Sequence, residues 1–174
     1  MTLPPRHRIL AIDDTEDTLE LIRLTLQDDY DVLSLADPMN AYEYVDLFEP
    51  DLLILDIMMP RVSGFQILEM IQQGSRPREL PVILLSAKTA SSDIKHGYQL
   101  GASLYLTKPF QPERLRKNVR LQFEFHPPTS EPHTQDLAAI LKHIRQKTGY
   151  RQGGVQLASA VLPDHDFGGS SAAG

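Results

Sequence analysis

The 174-residue chain has no cysteine. That excludes disulfides, cysteinyl zinc sites, iron–sulfur ligation and thiol catalysis together, and it suits a reducing compartment. No stretch approaches the ~18 consecutive apolar residues of a membrane span. The start, MTLPPRHR, leads directly into the strand-like ILAID rather than into an apolar signal segment with a small-residue cleavage site. A cytoplasmic location without membrane insertion is expected. Basic charge is scarce as well: 17 Lys and Arg stand against 23 Asp and Glu, a formal net charge of −6, and the whole acidic excess falls before residue 126. Without a broad basic surface, direct nucleic-acid binding is not expected, whereas a cation would be welcome. Hydrophobic residues at 41% and charged residues at 23% leave ample side chain for a buried core. The length predicts one domain with a short appendage.

What is present is an alternation. From residue 8, short apolar runs alternate with longer helical periodicities, the pattern of βα units around a parallel sheet. Strands are expected at Ile9–Asp13, Val32–Leu35, Leu52–Asp56, Val82–Ser86 and Leu104–Thr107. Helices are expected near 16–28, 38–48, 64–73, 89–100 and 112–125, with Asp37-Pro38, Gly64, Gly101 and Pro112 as starts or stops. ILAID, LLILD and VILLS are continuously apolar and end in a polar residue, as central strands covered on both faces do. The fold class is therefore α/β, a doubly wound five-stranded parallel sheet of five βα units with a C-terminal helical extension.

Five segments follow: an N-terminal arm at 1–7, the α/β domain at 8–125, a Pro-rich linker at 126–135, a helix at 136–148 and a flexible tail at 149–174. In the helix, Leu137, Ile140, Leu141 and Ile144 form an apolar stripe at i, i+3, i+4 and i+7. Such a short helix is ordered only if its stripe is buried, against the domain, a second copy or a domain outside this chain. The six histidines are scattered, without metal-ligand spacing, and are expected to be solvated.

In a doubly wound sheet, ligands bind outside the carboxyl ends of the strands. Those ends carry Asp13, Asp14, Asp56, Ser86 and Lys108. Three converging carboxylates repel one another unless a cation sits among them, and hard oxygen ligands with no His or Cys nearby select Mg²⁺, with Mn²⁺ as the alternative. Helix capping explains each acid singly but not three acids, a hydroxyl and a lysine together.

Four blocks in order, AIDDTED, LLILDIMMPRVSGFQIL, VILLSAK and GASLYLTKPF, make residues 8–125 resemble the receiver domain of two-component response regulators. The resemblance implies a flavodoxin-like fold. It implies that Asp56 is the phosphoacceptor, that Asp13, Asp14, Asp56 and the backbone carbonyl of Met58 hold Mg²⁺, and that Lys108 and Ser86 contact the phosphoryl group. Tyr105 matches the family's switch aromatic, and Lys108-Pro109 is a candidate cis peptide. Lys88 is expected to be a solvated loop lysine. The partners implied are a histidine kinase or histidine phosphotransfer protein upstream, and a downstream protein or second copy meeting residues 89–125. Such a chain is a signalling switch rather than a turnover enzyme, although it takes part in phosphoryl transfer to its own Asp56 and has the groups to promote its own dephosphorylation.

Three rivals stand beside this. A haloacid-dehalogenase-type phosphatase would need a second aspartate where Met58 stands. An FMN carrier would need a Ser-, Thr- and Gly-rich loop where DDTEDTLE stands, and acids repel phosphate. A receiver-like module that interacts without being phosphorylated keeps every residue and is the alternative reading.

Overall fold

The computed structural model describes residues 6–74, 79–128, 133, 136–148 and 155–158. Five parallel strands are present, β1 (Arg8–Ile12), β2 (Asp31–Leu35), β3 (Leu52–Asp56), β4 (Val82–Ser86) and β5 (Leu104–Thr107). A sixth, β6 (Val155–Ala158), joins antiparallel to β2, so the sheet runs β5-β4-β3-β1-β2-β6. The flavodoxin-like five-stranded core is as expected, whereas β6 falls in the segment expected to be a flexible tail. Nothing in VQLA separates it from a loop; β6 is a strand because β2 offers it an unpaired edge.

The strand runs are apolar on both faces because helices cover both. Ile9 and Ala11 face one core with Leu19, Ile22 and Leu26 of α1 (Glu16–Leu26) and Leu115 and Val119 of α5 (Pro112–Phe125). Leu10 and Ile12 face the other, with Tyr44, Val45 and Phe48 of α2 (Ala41–Phe48) and Ile67, Leu68 and Ile71 of α3 (Gly64–Gln73). Each fully buried Leu, Ile, Val or Phe among them stabilises by ~1.5–3 kcal/mol. These two layers hold the strand ends in fixed relation. On the second face, α4 (Ser91–Gln99) follows β4.

The helix expected at 38–48 is in fact two pieces. Asp37 accepts the Met39 N–H at 3.0 Å and Pro38 opens a 3₁₀ turn, Pro38–Asn40, before α2 begins. Beyond the domain, α6 (Leu137–Thr148) is capped by Asp136, whose carboxylate accepts the Ala139 N–H at 2.6 Å. Ile140 of α6 is fully buried in the α2–α3 core and Leu137 packs beside it. Ile140 and Leu137 of the stripe are thus covered by this chain's own domain. His143 Nε2 lies 3.9 Å from Glu43 on α2.

Candidate functional site

Each candidate side chain leaves the sheet at its carboxyl edge. Asp13 and Asp14 follow β1, Asp56 ends β3, Ser86 ends β4 and Lys108 follows β5. Because β1 and β3 are adjacent and in register from Ile9↔Leu52 to Ile12↔Leu55, their acids emerge side by side. One oxygen from each of Asp13, Asp14 and Asp56 lies within 4.8 Å of the others. Asp13 and Asp56 are buried, at 0% and 3% exposure, and Asp14 is open to solvent.

The charges there do not balance. Lys108 Nζ is 2.6 Å from Asp13 Oδ2 but 3.5 Å from Asp56 Oδ1, so its ammonium compensates Asp13 first. Asp13 also accepts the Thr15 N–H at 2.8 Å. Asp56 keeps the Met58 N–H at 3.3 Å. Burial, then the neighbouring Asp13 carboxylate, push Asp56 up to about 6, against the opposing pull of Lys108 and the Met58 N–H. A pocket with two buried carboxylates, a third at its mouth and one lysine has room for more positive charge. The donors are all hard oxygens, so these residues suit a divalent cation.

Ser86 is fully buried, and its Oγ accepts the Lys88 N–H at 2.9 Å. Tyr105 is 9% exposed, and its hydroxyl donates to the Lys88 carbonyl at 3.0 Å. The Lys108-Pro109 peptide is cis. Lys88 turns its ammonium to 3.9 Å from Asp93 Oδ1 at the start of α4 and remains 44% exposed, a loop lysine as expected. The structure therefore brings together Asp13, Asp14, Asp56 and Lys108, with Ser86 and Tyr105 joined through the Lys88 backbone.

Two supports escaped the sequence reading. A Cβ on Gly64 would land on the backbone carbonyl oxygen of Asp56 and 2.8 Å from Ile57 Cα, so the first turn of α3 touches the β3 end as only glycine can. Ser63 and Gln66 close a capping box, with bonds of 3.3 and 2.9 Å, that fixes where α3 starts. The S-x-x-Q spacing was the available signal. At the opposite, amino edge, His133 is not solvated. Its Nε2 lies 3.2 Å from Oδ2 of Asp51, and the two side chains are 11% and 4% exposed.

The fold and site thus define a doubly wound α/β domain with a cluster of acids suited to a cation at the carboxyl edge of its sheet. The sequence matches the response regulator receiver domain family over residues 9–120, and the chain belongs to that family. The response regulator Rre1 of Synechocystis sp. is 37% identical over 114 residues, 64% of this chain and 49% of that protein. RpaA of the same organism, a DNA-binding dual master transcriptional regulator, is 35% identical over 65% of this chain and 47% of its own length. Among solved structures, the chemotaxis protein CheY4 of Vibrio cholerae superposes with a TM-score of 0.64 at 30% identity, covering 67% of this chain and 98% of that one. This chain spans about half the length of the curated relatives it matches. Among the described residues, no helix is long and apolar enough to cross a membrane.

One expectation is corrected by these comparisons. The acidic balance argued against direct nucleic-acid binding, yet RpaA and the mycobacterial MtrA proteins, the latter 33% identical, are DNA-binding regulators by name. Net charge weighs only the surface that carries it. It says nothing of the half of those proteins that the match does not reach.

Proposed function

We propose that the chain is a phosphorylation-controlled switch whose phosphoacceptor is Asp56. The observation that carries this is the asymmetric setting of that carboxylate, buried and less neutralised than Asp13 although both face Lys108. A phosphohistidine of a histidine kinase or phosphotransfer protein is the donor in this reading. An Asp56 oxygen bonds to phosphorus as the P–N bond breaks, and the histidine leaves. Ionised Asp56 needs no base, so the protein's task is to place charge on the equatorial phosphoryl oxygens. Lys108 supplies one ammonium, and the Ser86 hydroxyl supplies a donor once it turns to the site. Mg²⁺ held by Asp13, Asp14, Asp56 and the Met58 carbonyl would supply the remaining positive charge.

Phosphorylation replaces one negative charge by nearly two and adds strong acceptors. Ser86 drawn toward them carries the Lys88 backbone with it, and Tyr105, whose hydroxyl sits on the Lys88 carbonyl, follows. The output its relatives' names point to is DNA binding, met through an effector segment rather than through the acidic domain surface. A reducing cytoplasm suits both the cysteine-free chain and such a donor.

Intact-mass spectrometry after acetyl phosphate and Mg²⁺ tests the assignment. One phosphoryl mass is expected on the parent and none on Asp56→Asn. No gain on the parent favours a module that works unphosphorylated; a gain that persists in Asp56→Asn places the acceptor elsewhere.

A further inference from the structure

β5 is the outermost strand on its side of the sheet and pairs with β4 alone. An outer strand leaves alternate backbone N–H groups without a strand partner. The Tyr105 N–H is taken by a side chain instead: it donates, at 3.2 Å, to the hydroxyl oxygen of Tyr98 in the last turn of α4. At its other end, Tyr105 donates its own hydroxyl to the Lys88 carbonyl, in the loop ahead of α4. Between the two, α4 comes close at Gly97, where a Cβ would stand 3.4 Å from Tyr105 Cδ2 and 2.7 Å from Leu84 Cδ1. Tyr105 is thus held at its backbone and ring by one end of α4 and at its hydroxyl by the loop leading into the other. Tyr98 is itself 46% exposed, so filling the core does not explain a tyrosine there. Its hydroxyl does have a specific task on the strand edge.

We propose that Tyr98 is a positioning residue for Tyr105. By accepting the Tyr105 N–H it ties the last turn of α4 to β5, and it keeps the Tyr105 ring in its buried, Lys88-bonded setting before any phosphoryl group arrives. This rests on the reading of Tyr105 as the aromatic that responds to Asp56. A single hydrogen bond on a partly exposed group biases a two-state equilibrium by a factor of roughly three to ten.

The test uses the full chain labelled with 3-fluorotyrosine and ¹⁵N, as parent, Tyr98→Phe and Tyr105→Phe. Beryllofluoride with Mg²⁺ is the phosphoryl mimic. Tyr98→Phe keeps the ring and removes the acceptor. Its Tyr105 amide is expected to exchange about tenfold faster, its Tyr105 fluorine signal to move toward the solvent-exposed position, and its mimic midpoint to rise roughly three- to tenfold. Mg²⁺ affinity without the mimic stays at the parent value, because Tyr98 touches none of the three acids. Tyr105→Phe loses the Lys88 bond but keeps its N–H on Tyr98, so its amide stays protected. An unchanged Tyr105 amide and ring signal in Tyr98→Phe would overturn the proposal, as would a matching loss of Mg²⁺ affinity, which marks general loosening. If the mimic moves Tyr105 in neither protein while Tyr98→Phe still frees its amide and ring, the positioning role stands and the switch reading of Tyr105 fails.

Discussion

Asp56 is ionised at a cost to the fold. Its carboxylate is 3% exposed and pushed up to about 6, by burial first and by Asp13 second. An unfolded aspartate titrates near 4, so between about pH 4 and pH 6 the folded chain retains a proton that the unfolded chain has lost. Stability attributable to this group therefore falls as pH rises through that window and levels off above it. About two pH units at ~1.4 kcal/mol each set an upper bound near 3 kcal/mol. Asp56→Asn removes the penalty. Urea unfolding in EDTA is expected to show the variant level with the parent below about pH 4 and more stable by on the order of 2 kcal/mol at pH 7. Mg²⁺ then narrows the gap by stabilising the parent. Parallel pH profiles would mean that the carboxylate carries no such penalty. At this scale the sequence was most legible where a residue's place follows from its strand. Asp13, Asp56, Ser86 and Lys108 each stand at a strand end, and parallel strands put those ends on one edge. Gly64 was legible as a helix boundary but not for its contact with the β3 end, and the bonds of Tyr98 and His133 were not legible, because each depends on the approach of a second element that local pattern does not describe.

Among the elements, α3 bears most directly on the site. Its Gly64 N–H donates to the Ile57 carbonyl at 2.9 Å, and its first turn rests on the backbone of the β3 end. Gly64→Ala places a methyl group against the Asp56 carbonyl oxygen and Ile57 Cα, which are backbone atoms that no rotamer change moves. Either α3 tilts away or the Asp56 backbone shifts. A destabilisation of about 1–3 kcal/mol is expected, with a fall in acetyl-phosphate labelling of Asp56 that persists at temperatures where circular dichroism shows the variant folded. Parent-like labelling would mean that the close approach does not hold the acceptor in place. The extent of the elements was legible for different reasons. Continuous apolar runs bounded by polar ends located β1, β3 and β4 within a residue, because strands covered on both faces have no alternative composition. The 3₁₀ turn before α2 was lost inside a helical periodicity, since a single turn disturbs the apolar spacing too little to show.

For the molecule as a whole, the open matter in the sequence was what covers the stripe of residues 136–148. A stripe declares that something must be buried and not against what. The structure answers with Ile140 in the α2–α3 core, His133 on Asp51 and β6 on the β2 edge. Burial alone would raise the Asp51 carboxyl, but bonds from His133 and the Arg8 N–H outweigh it and hold the group below its ordinary value. The stability that Asp51 lends is therefore present above the ordinary aspartate range and fades as pH falls through its folded value. α6 and β6 are separated by six residues of chain, α6 against the α2–α3 core and β6 on the β2 edge, so they are expected to detach as one cooperative unit at a lower free energy than the five parallel strands. Ile140→Asp puts a charge where the side chain is fully buried, and water is the only favourable place for it. In native-state hydrogen exchange, amides of 137–148 and 155–158 are expected to lose protection together in this variant. Those of β1, β3 and β4 should keep theirs, and Asp56 should still label with acetyl phosphate. Protection retained at 155–158 would show that β6 holds the β2 edge without the helix. Loss of protection across β1 and β3 as well would show that α6 is part of the core itself rather than an arm laid on it.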